Sequence, residues 1–438
     1  MLLTNLALRS RELSISRISP LLYFSAPFSR RRLQTQATGK PFRVLFLGRD
    51  EFSSTVLKEL HSAQDVWSEI ICLTQPETNI TSGSISRRRT SSPLSKLARE
   101  LGLPTHHIPL KRKDFRKYTF PEPFCTSSTS AIECLPSNYV LVTASFGRIL
   151  TDKHLGLFQP GRRLNVHPSL LPKYRGPAPI QHAILNNDKE TGVCVIEMTK
   201  KSDGIDAGEL WGMEHISMPT FPEFSVLREE LANRGGRLLV STLRSMISGN
   251  AASTSQVTSG DCVPAPLIKS NHALLDFSKM NANEIHCLWR AVSHQKPLTT
   301  SYRLPSSFQA SKISTTDATS ERRWHSVQFT QLELVPNPPG RTQLPLHNSP
   351  GSYAFSKPTH SLYVRCSDES IIAIKRLKPA GGKEMDAQAF WNGVWAAVGR
   401  DRKKRVNEGL AKEGDDRFDG SERGLWTFGG VDLPSQVV

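Results

Sequence analysis

Short apolar runs alternating with helically periodic segments mark the first half of the chain. Phe42 to Leu47 (FRVLFL) is a nearly continuous apolar run that predicts a buried strand. Gly48 supplies a turn, and Ser53 to His61 carries Val56, Leu57 and Leu60 at helical spacing. Ile70 to Thr74 predicts a second strand, and Leu94 to Leu101 a helix closed by Gly102 and Pro104. Tyr139 to Ala144 (YVLVTA) reads as a third strand. Such alternation implies an α/β doubly wound, Rossmann-like domain with a parallel sheet. Leu164 to His167 reads as a further strand, and Pro177-Ala178-Pro179 introduces a helix over Ile180 to Leu185, because proline suits a first helical turn. Thr191 to Met198 alternates as a strand, and residues 222–248 predict a long helix broken at Gly235-Gly236.

A different pattern follows a small, polar stretch from Asn250 to Asp261 that reads as a linker. Trp324 to Val335, Ser361 to Arg365 and Ile371 to Leu377 are β-rich, alternating and separated by Gly, Pro and Ser, which predicts a small open β-barrel (OB-like). The separators 305–322 and 336–351 are long enough to be surface loops. The expected organisation is therefore a leader over 1–40, an α/β domain over 41–249, a linker over 250–261, a barrel over 262–398 and a disordered tail over 399–438. In the cluster Lys375-Arg376-Leu377-Lys378, strand alternation puts Lys375 and Leu377 on one face and Arg376 and Lys378 on the other. Only part of that charge can then meet one partner.

Charge changes this picture more than length does. The formal net charge of the 438 residues is +16, which favours a polyanionic partner. The first 40 residues hold seven basic side chains against the single acid Glu12, together with six serines and interleaved Leu and Ile, the pattern of a mitochondrial transit peptide. A matrix location is the corresponding expectation, and the remainder keeps about +10. The seven cysteines form no CxxC pair, so neither a zinc site nor a disulfide framework is expected, and no metal is assigned. No run of 18 apolar residues occurs, which argues against a transmembrane helix.

Candidate chemistry lies in Asn165-Val166-His167-Pro168. Residues two apart on a strand share a face, so Asn165 and His167 stand side by side at a strand end, where doubly wound sheets bind ligands. An amide donor beside an imidazole suits a carbonyl reaction, with the amide binding a developing oxyanion and the imidazole handling a proton. Alone, such a pair is more often a structural hydrogen-bonded pair. The first turn, Gly48-Arg49-Asp50-Glu51, lacks the three-glycine fingerprint of a dinucleotide site.

The wider context is more specific. The run NVHPSLLPKYRGPAPIQHAI, then TGVCVIEM, then Asp206-Ala207-Gly208, resembles methionyl-tRNA formyltransferases. So do Phe46-Leu47-Gly48 with Glu51-Phe52, Leu73 to Pro76, Ala144 to Leu150, Ala265 to Lys269 and Phe390 to Gly393. The resemblance implies a one-carbon transferase whose catalytic residues are Asn165, His167 and Asp206, with Asp206 keeping His167 protonated. Asp203 is a rival in the same lengthened loop, but only Asp206 reproduces the Asp-x-Gly pattern. It also implies a folate-contacting segment at Ser169, Leu170, Leu171 and Pro172, and a basic loop carrying Arg87, Arg88 and Arg89 that grips the acceptor end of tRNA. The C-terminal barrel would bind charged initiator tRNA. The co-substrate would be 10-formyltetrahydrofolate, with no tightly bound cofactor and a monomeric enzyme serving mitochondrial translation initiation. A formyltransferase acting on a small amine and a non-catalytic RNA-binding relative are the alternatives. The first would not need the barrel, and the second would not need the three polar residues.

Overall fold

The computed structural model describes residues 37–82, 86–125, 134–256, 262–302, 325–335, 346, 348–394, 396 and 428–429. All of 305–322 and most of the expected leader, of 336–351 and of the tail fall outside them. The first domain comprises β1 (Phe42–Leu47), α1 (Glu51–Ser62), β2 (Trp67–Thr74), β3 (Thr78–Ser82), β4 (Ser86–Thr90), α2 (Pro93–Glu100), β5 (Thr105–His107), α3 (Arg112–Phe115), β6 (Tyr139–Ala144), α4 (Asp152–Gly156), β7 (Arg163–His167), α5 (Pro179–Leu185), β8 (Glu190–Glu197), β9 (Leu210–Ser217) and α6 (Phe224–Ile247). Seven of its strands form one sheet in the order β5-β2-β1-β6-β7-β8-β9.

Alternation along β1 explains its burial on both sides. Val44 and Phe46 join a core with α1, α2 and α6, whereas Leu45 and Leu47 join a second core with Phe115, Leu155 and Phe158. Helices therefore cover both faces, as the sequence predicts. The sheet is mostly parallel rather than wholly so: β8 pairs antiparallel with β7, and β9 antiparallel with β8. The short α5 and the turn after it return the chain without a full crossover, so β8 runs back beside β7 and delivers the loop after Glu197 to one side of the sheet.

The break expected at Gly235-Gly236 does not occur. A Cβ at Gly235 would lie 2.7 Å from Val166 and 2.9 Å from Val193, and one at Gly236 would lie 2.5 Å from Glu59 of α1. These glycines let α6 settle against the sheet and α1, and that packing outweighs the roughly 1 kcal/mol helix penalty of each. The expected linker also differs from its composition. Ala251, Ser253 and Gln256 are buried, and Thr254 exchanges backbone hydrogen bonds of 2.8 and 2.9 Å with Leu210, so residues 250–256 are packed against β9.

The second domain places α7 (Ala282–Val292) beside α5, with Arg290 Nη1 donating to the Pro222 carbonyl at 3.0 Å. Its strands are β10 (Leu298–Tyr302), β11 (His325–Leu334), β12 (Tyr353–Ser356), β13 (Ser361–Arg365), β14 (Ile371–Pro379), β15 (Met385–Asp386) and β16 (Phe428–Gly429). They form an antiparallel sheet in the order β12-β13-β14-β11-β10-β16, with β15 on β14. The sheet curls into a barrel. Phe428 N–H donates to the Gly351 carbonyl at 2.7 Å, which joins the approach to β12 to the opposite edge. On β14, Lys375 pairs with Glu333 at 3.5 Å and Arg376 with Glu384 at 2.9 Å, so much of that basic cluster is neutralised within the barrel.

The tail expectation fails at β16. Phe428 is buried, stacks on Tyr353 with ring centroids 4.4 Å apart and meets Phe329 edge-on at 5.2 Å. Truncating a buried Phe to Ala costs about 3–5 kcal/mol. Phe428→Ala should therefore lower the unfolding free energy of the barrel by about that much in urea titrations. A midpoint equal to that of the unmutated chain would contradict this placement.

Candidate active site

Three strand ends and two loops build the site. On β7, Leu164 and Val166 enter the core beneath α6, which leaves Asn165 and His167 on the opposite face. Asn165 lies in register with Thr143 of β6, and the Thr143 hydroxyl donates to Asn165 Oδ1 at 2.7 Å. That contact orients the amide. With its oxygen occupied by Thr143, Asn165 presents its NH2 group outward, where Nδ2 lies 3.5 Å from Asp206 Oδ1. The reverse orientation would set the amide oxygen against a carboxylate. Asn165 is thus held as a donor, the state an oxyanion requires.

His167 is 4% exposed. Its Nε2 lies 3.0 Å from the Tyr174 carbonyl, which can only accept, so Nε2 carries a hydrogen. The other nitrogen, Nδ1, is 3.7 Å from Asp206 Oδ2. When the ring takes a second proton, that proton sits on Nδ1, on the side of the carboxylate and the Asn165 amide. Tyr174 is itself anchored: its hydroxyl donates to Asp188 Oδ2 at 2.7 Å and accepts from Asn186 Nδ2 at 2.7 Å. A loop with a buried tyrosine at its centre therefore fixes the imidazole ring.

Asp206 occupies a left-handed backbone conformation, φ +54°. A non-glycine residue there is held by its surroundings. Its Oδ2 accepts the Gly176 backbone N–H at 3.0 Å. Two residues on, a Cβ at Gly208 would come 1.9 Å from the Glu197 carbonyl oxygen, so the turn can lie on β8 only because that position is glycine. This is the physical content of Asp-x-Gly here. Asp203 ends a single 3-10 turn over Lys201–Asp203, is exposed and accepts from its neighbour Ser202. The structure brings Asp206 rather than Asp203 to Asn165 and His167. Behind the site, burial pushes the Glu197 carboxyl up, against the opposing pull of Arg163 at 2.9 Å and the Gly161 N–H at 3.0 Å.

The segment expected to contact folate is mostly engaged elsewhere. Ser169 is buried and donates to the Lys173 carbonyl at 2.7 Å, and Leu171 packs with Cys194 and Ile196. Leu170 lies over Gly192 of β8. Pro172 is half-buried beyond a cis Leu171–Pro172 peptide. Leu171 is thus taken up by the core and the Ser169 hydroxyl by the backbone, while Leu170 and Pro172 stay part-exposed. Arg87, Arg88 and Arg89 lie in β4, whose backbone pairs with β3 from Thr81↔Arg87 to Asn79↔Arg89. This hairpin follows the carboxyl end of β2 and so leaves the sheet at the same edge as Asn165 and His167. Sequence reasoning missed Thr143 and the backbone groups of Tyr174 and Gly176. Thr143 had a signal: it is a hydroxyl residue near the end of an otherwise apolar strand.

Among the described residues there is no group of three or more His, Cys, Asp or Glu side chains that could hold a metal ion, and no helix long and apolar enough to cross a membrane.

Comparison with known proteins agrees in both domains. Residues 43–243 match the family "Formyl transferase" and residues 267–394 the family "Formyl transferase, C-terminal domain". A methionyl-tRNA formyltransferase of Lactiplantibacillus plantarum is 28% identical over 353 residues, covering 80% of this chain and 95% of that protein. Those of Desulfotalea psychrophila and Thermotoga maritima are 32% and 31% identical, covering 59% and 54% of this chain and 73% and 68% of theirs. A sugar 3N-formyl transferase crystallised with dTDP and 5-N-formyl-THF is 16% identical with a TM-score of 0.47, over 76% of this chain and 97% of its own. Both halves of the fold are thus those of formyl transferases, and by its relatives the chain belongs to the methionyl-tRNA formyltransferase family.

Proposed function

We propose that this chain transfers the formyl group of 10-formyltetrahydrofolate to the amino group of methionine esterified to initiator tRNA, giving N-formylmethionyl-tRNA and tetrahydrofolate. The observation that carries this reading is the convergence of an outward amide N–H, an imidazole Nδ1 and a carboxylate at one strand end. The neutral amine attacks the formyl carbon, forming the new C–N bond. The oxyanion is held by Asn165 Nδ2 and by the proton on His167 Nδ1, while Asp206 balances the imidazolium charge. Collapse breaks the bond to N10 of the folate. The proton lost by the amine ends on N10, and Asp206 and His167 are the groups placed to carry it. Every side chain in this scheme comes from one chain, which suits a monomer.

The β3–β4 hairpin, whose sequence carries Arg87, Arg88 and Arg89, follows the carboxyl end of β2 on the side of the site, and its basic composition supports a role in gripping the acceptor end of the tRNA. The barrel would meet the rest of the tRNA. Formylation of small amines with no transfer to charged initiator tRNA would overturn this choice of substrate. We further propose that residues 1–40 direct the chain to the mitochondrial matrix, on the strength of their basic, serine-rich and acid-poor composition. Deleting them should abolish uptake of the chain by isolated mitochondria, and undiminished uptake would contradict that assignment.

Losing one oxyanion donor costs about 2.7–4 kcal/mol, so Asn165→Ala should slow turnover about a hundredfold or more. Steady-state formylation of charged initiator tRNA measures this, and wild-type turnover would sink the role given to Asn165. In the same assay Asp206→Asn should lose most activity, whereas the exposed Asp203→Asn should retain it. The opposite ranking would transfer the role to Asp203.

A further inference from the structure

The stretch joining the two domains does more than connect them. Gln256, 9% exposed, sends its side chain between the two loops that build the site. Its Nε2 donates to the carbonyl oxygens of Asp206, at 2.8 Å, and Gly208, at 2.7 Å. Its Oε1 accepts from Arg175, at 3.0 Å from Nε and also from Nη2. Arg175 lies between Tyr174, whose carbonyl holds His167, and Gly176, whose N–H holds Asp206. One primary amide therefore ties the Asp206 turn to the loop that fixes the other two contacts.

The chemistry of that position is restrictive. Both amide hydrogens point at carbonyl oxygens, and the single oxygen faces a guanidinium. The same strap is fastened on either side, since Thr254 bridges to Leu210, Tyr174 N–H donates to the Val263 carbonyl at 2.6 Å and Ala265 N–H donates to the Arg175 carbonyl at 2.8 Å. Among the described residues only Gln256, however, bonds to the peptide of Asp206 itself, the residue whose left-handed backbone has to be held in place. We infer that Gln256 is a positioning residue for formyl transfer: it holds the Asp206 turn so that the carboxylate stays aimed at His167 Nδ1 and the Asn165 amide.

This inference rests on the catalytic reading above and deepens it. Gln256 touches no reacting atom, so its loss should lower kcat while leaving KM for folate and for tRNA unchanged. A displacement of about 1 Å at such a site costs up to about a hundredfold in rate, which sets the expected loss at about ten- to a hundredfold.

The test is steady-state formylation of charged initiator tRNA with 10-formyltetrahydrofolate by the full chain, with Gln256→Met, Asp206→Asn and the double variant. Gln256→Met keeps the length and removes the hydrogen bonds. It should reduce kcat in the wild-type background and cause no further loss once Asp206 is Asn, because it acts through that carboxylate. A residue that only stabilises the fold would cost the same factor in both backgrounds, and that result, or a wild-type kcat for Gln256→Met, would overturn the inference. Should Gln256→Met fail to fold, Gln256→Glu carries the same comparison. It retains an oxygen for Arg175 but sets a carboxylate oxygen against two carbonyls, and a wild-type kcat there would be equally fatal. Loss of activity in Asp206→Asn with none in the Gln256 variants removes this inference alone. Wild-type activity in Asp206→Asn removes the catalytic reading and the inference with it.

Discussion

The Asp206 carboxylate accepts the Gly176 N–H at 3.0 Å on one oxygen and meets the Asn165 amide at 3.5 Å on the other, with His167 Nδ1 at 3.7 Å. The remaining features of the site serve this junction. The left-handed turn at Asp206 points the carboxylate inward, and the missing side chain at Gly208 lets that turn lie on the Glu197 carbonyl. Tyr174, anchored at Asp188 and Asn186, presents the carbonyl that holds the other side of the imidazole. Even a half-buried carboxylate without such partners would be costly.

The sheet sets the stage for that junction. Central strands buried on both faces fix β7 rigidly, with Leu164 and Val166 in one core, so Asn165 and His167 have no choice of face. Antiparallel β8 then ends with Glu197 opposite Leu164, and the loop after it brings Asp206 back to Asn165. The close seat of α6 at Gly235 presses on Val166 and Val193, the strand residues behind the site. Packing on one face thus stiffens the chemistry on the other.

Much of this could be read from the chain, for identifiable reasons. Period-two alternation places Asn165 and His167 together whatever the strand's neighbours are. The apolar runs at 42–47 and 139–144 are strands because they are short, rich in β-branched and aromatic residues, and buried on both faces of a parallel sheet. Asp-x-Gly singled out Asp206 over Asp203, and the steric demand at Gly208 shows why that pattern has meaning. Other features depend on contacts distant in sequence. The antiparallel turn to β8 and β9 follows from a short return that no local period records. Gly235-Gly236 looked like a helix break because glycine is costly in an isolated helix, and the close neighbours that offset this cost lie elsewhere in the chain. Residues 250–256 looked like a linker because small polar side chains also suit a strap that buries Ala251, Ser253 and Gln256 and pairs Thr254 with Leu210, and Phe428 was hidden in a polar tail. Ser169, Leu170 and Leu171 carried a ligand expectation from resemblance, while the Leu170 and Leu171 side chains meet β8 and the Ser169 hydroxyl donates to the Lys173 carbonyl.

In the proposed reaction Asn165 Nδ2 and His167 Nδ1, organised by Asp206, face a formyl oxygen. The most direct test is a crystal structure of this chain with 5-formyltetrahydrofolate, a stable isomer of the donor. The formyl oxygen is expected about 3 Å from Asn165 Nδ2, on the same side as His167 Nδ1 and Asp206. A well-ordered folate whose formyl group lies away from these three side chains would contradict it.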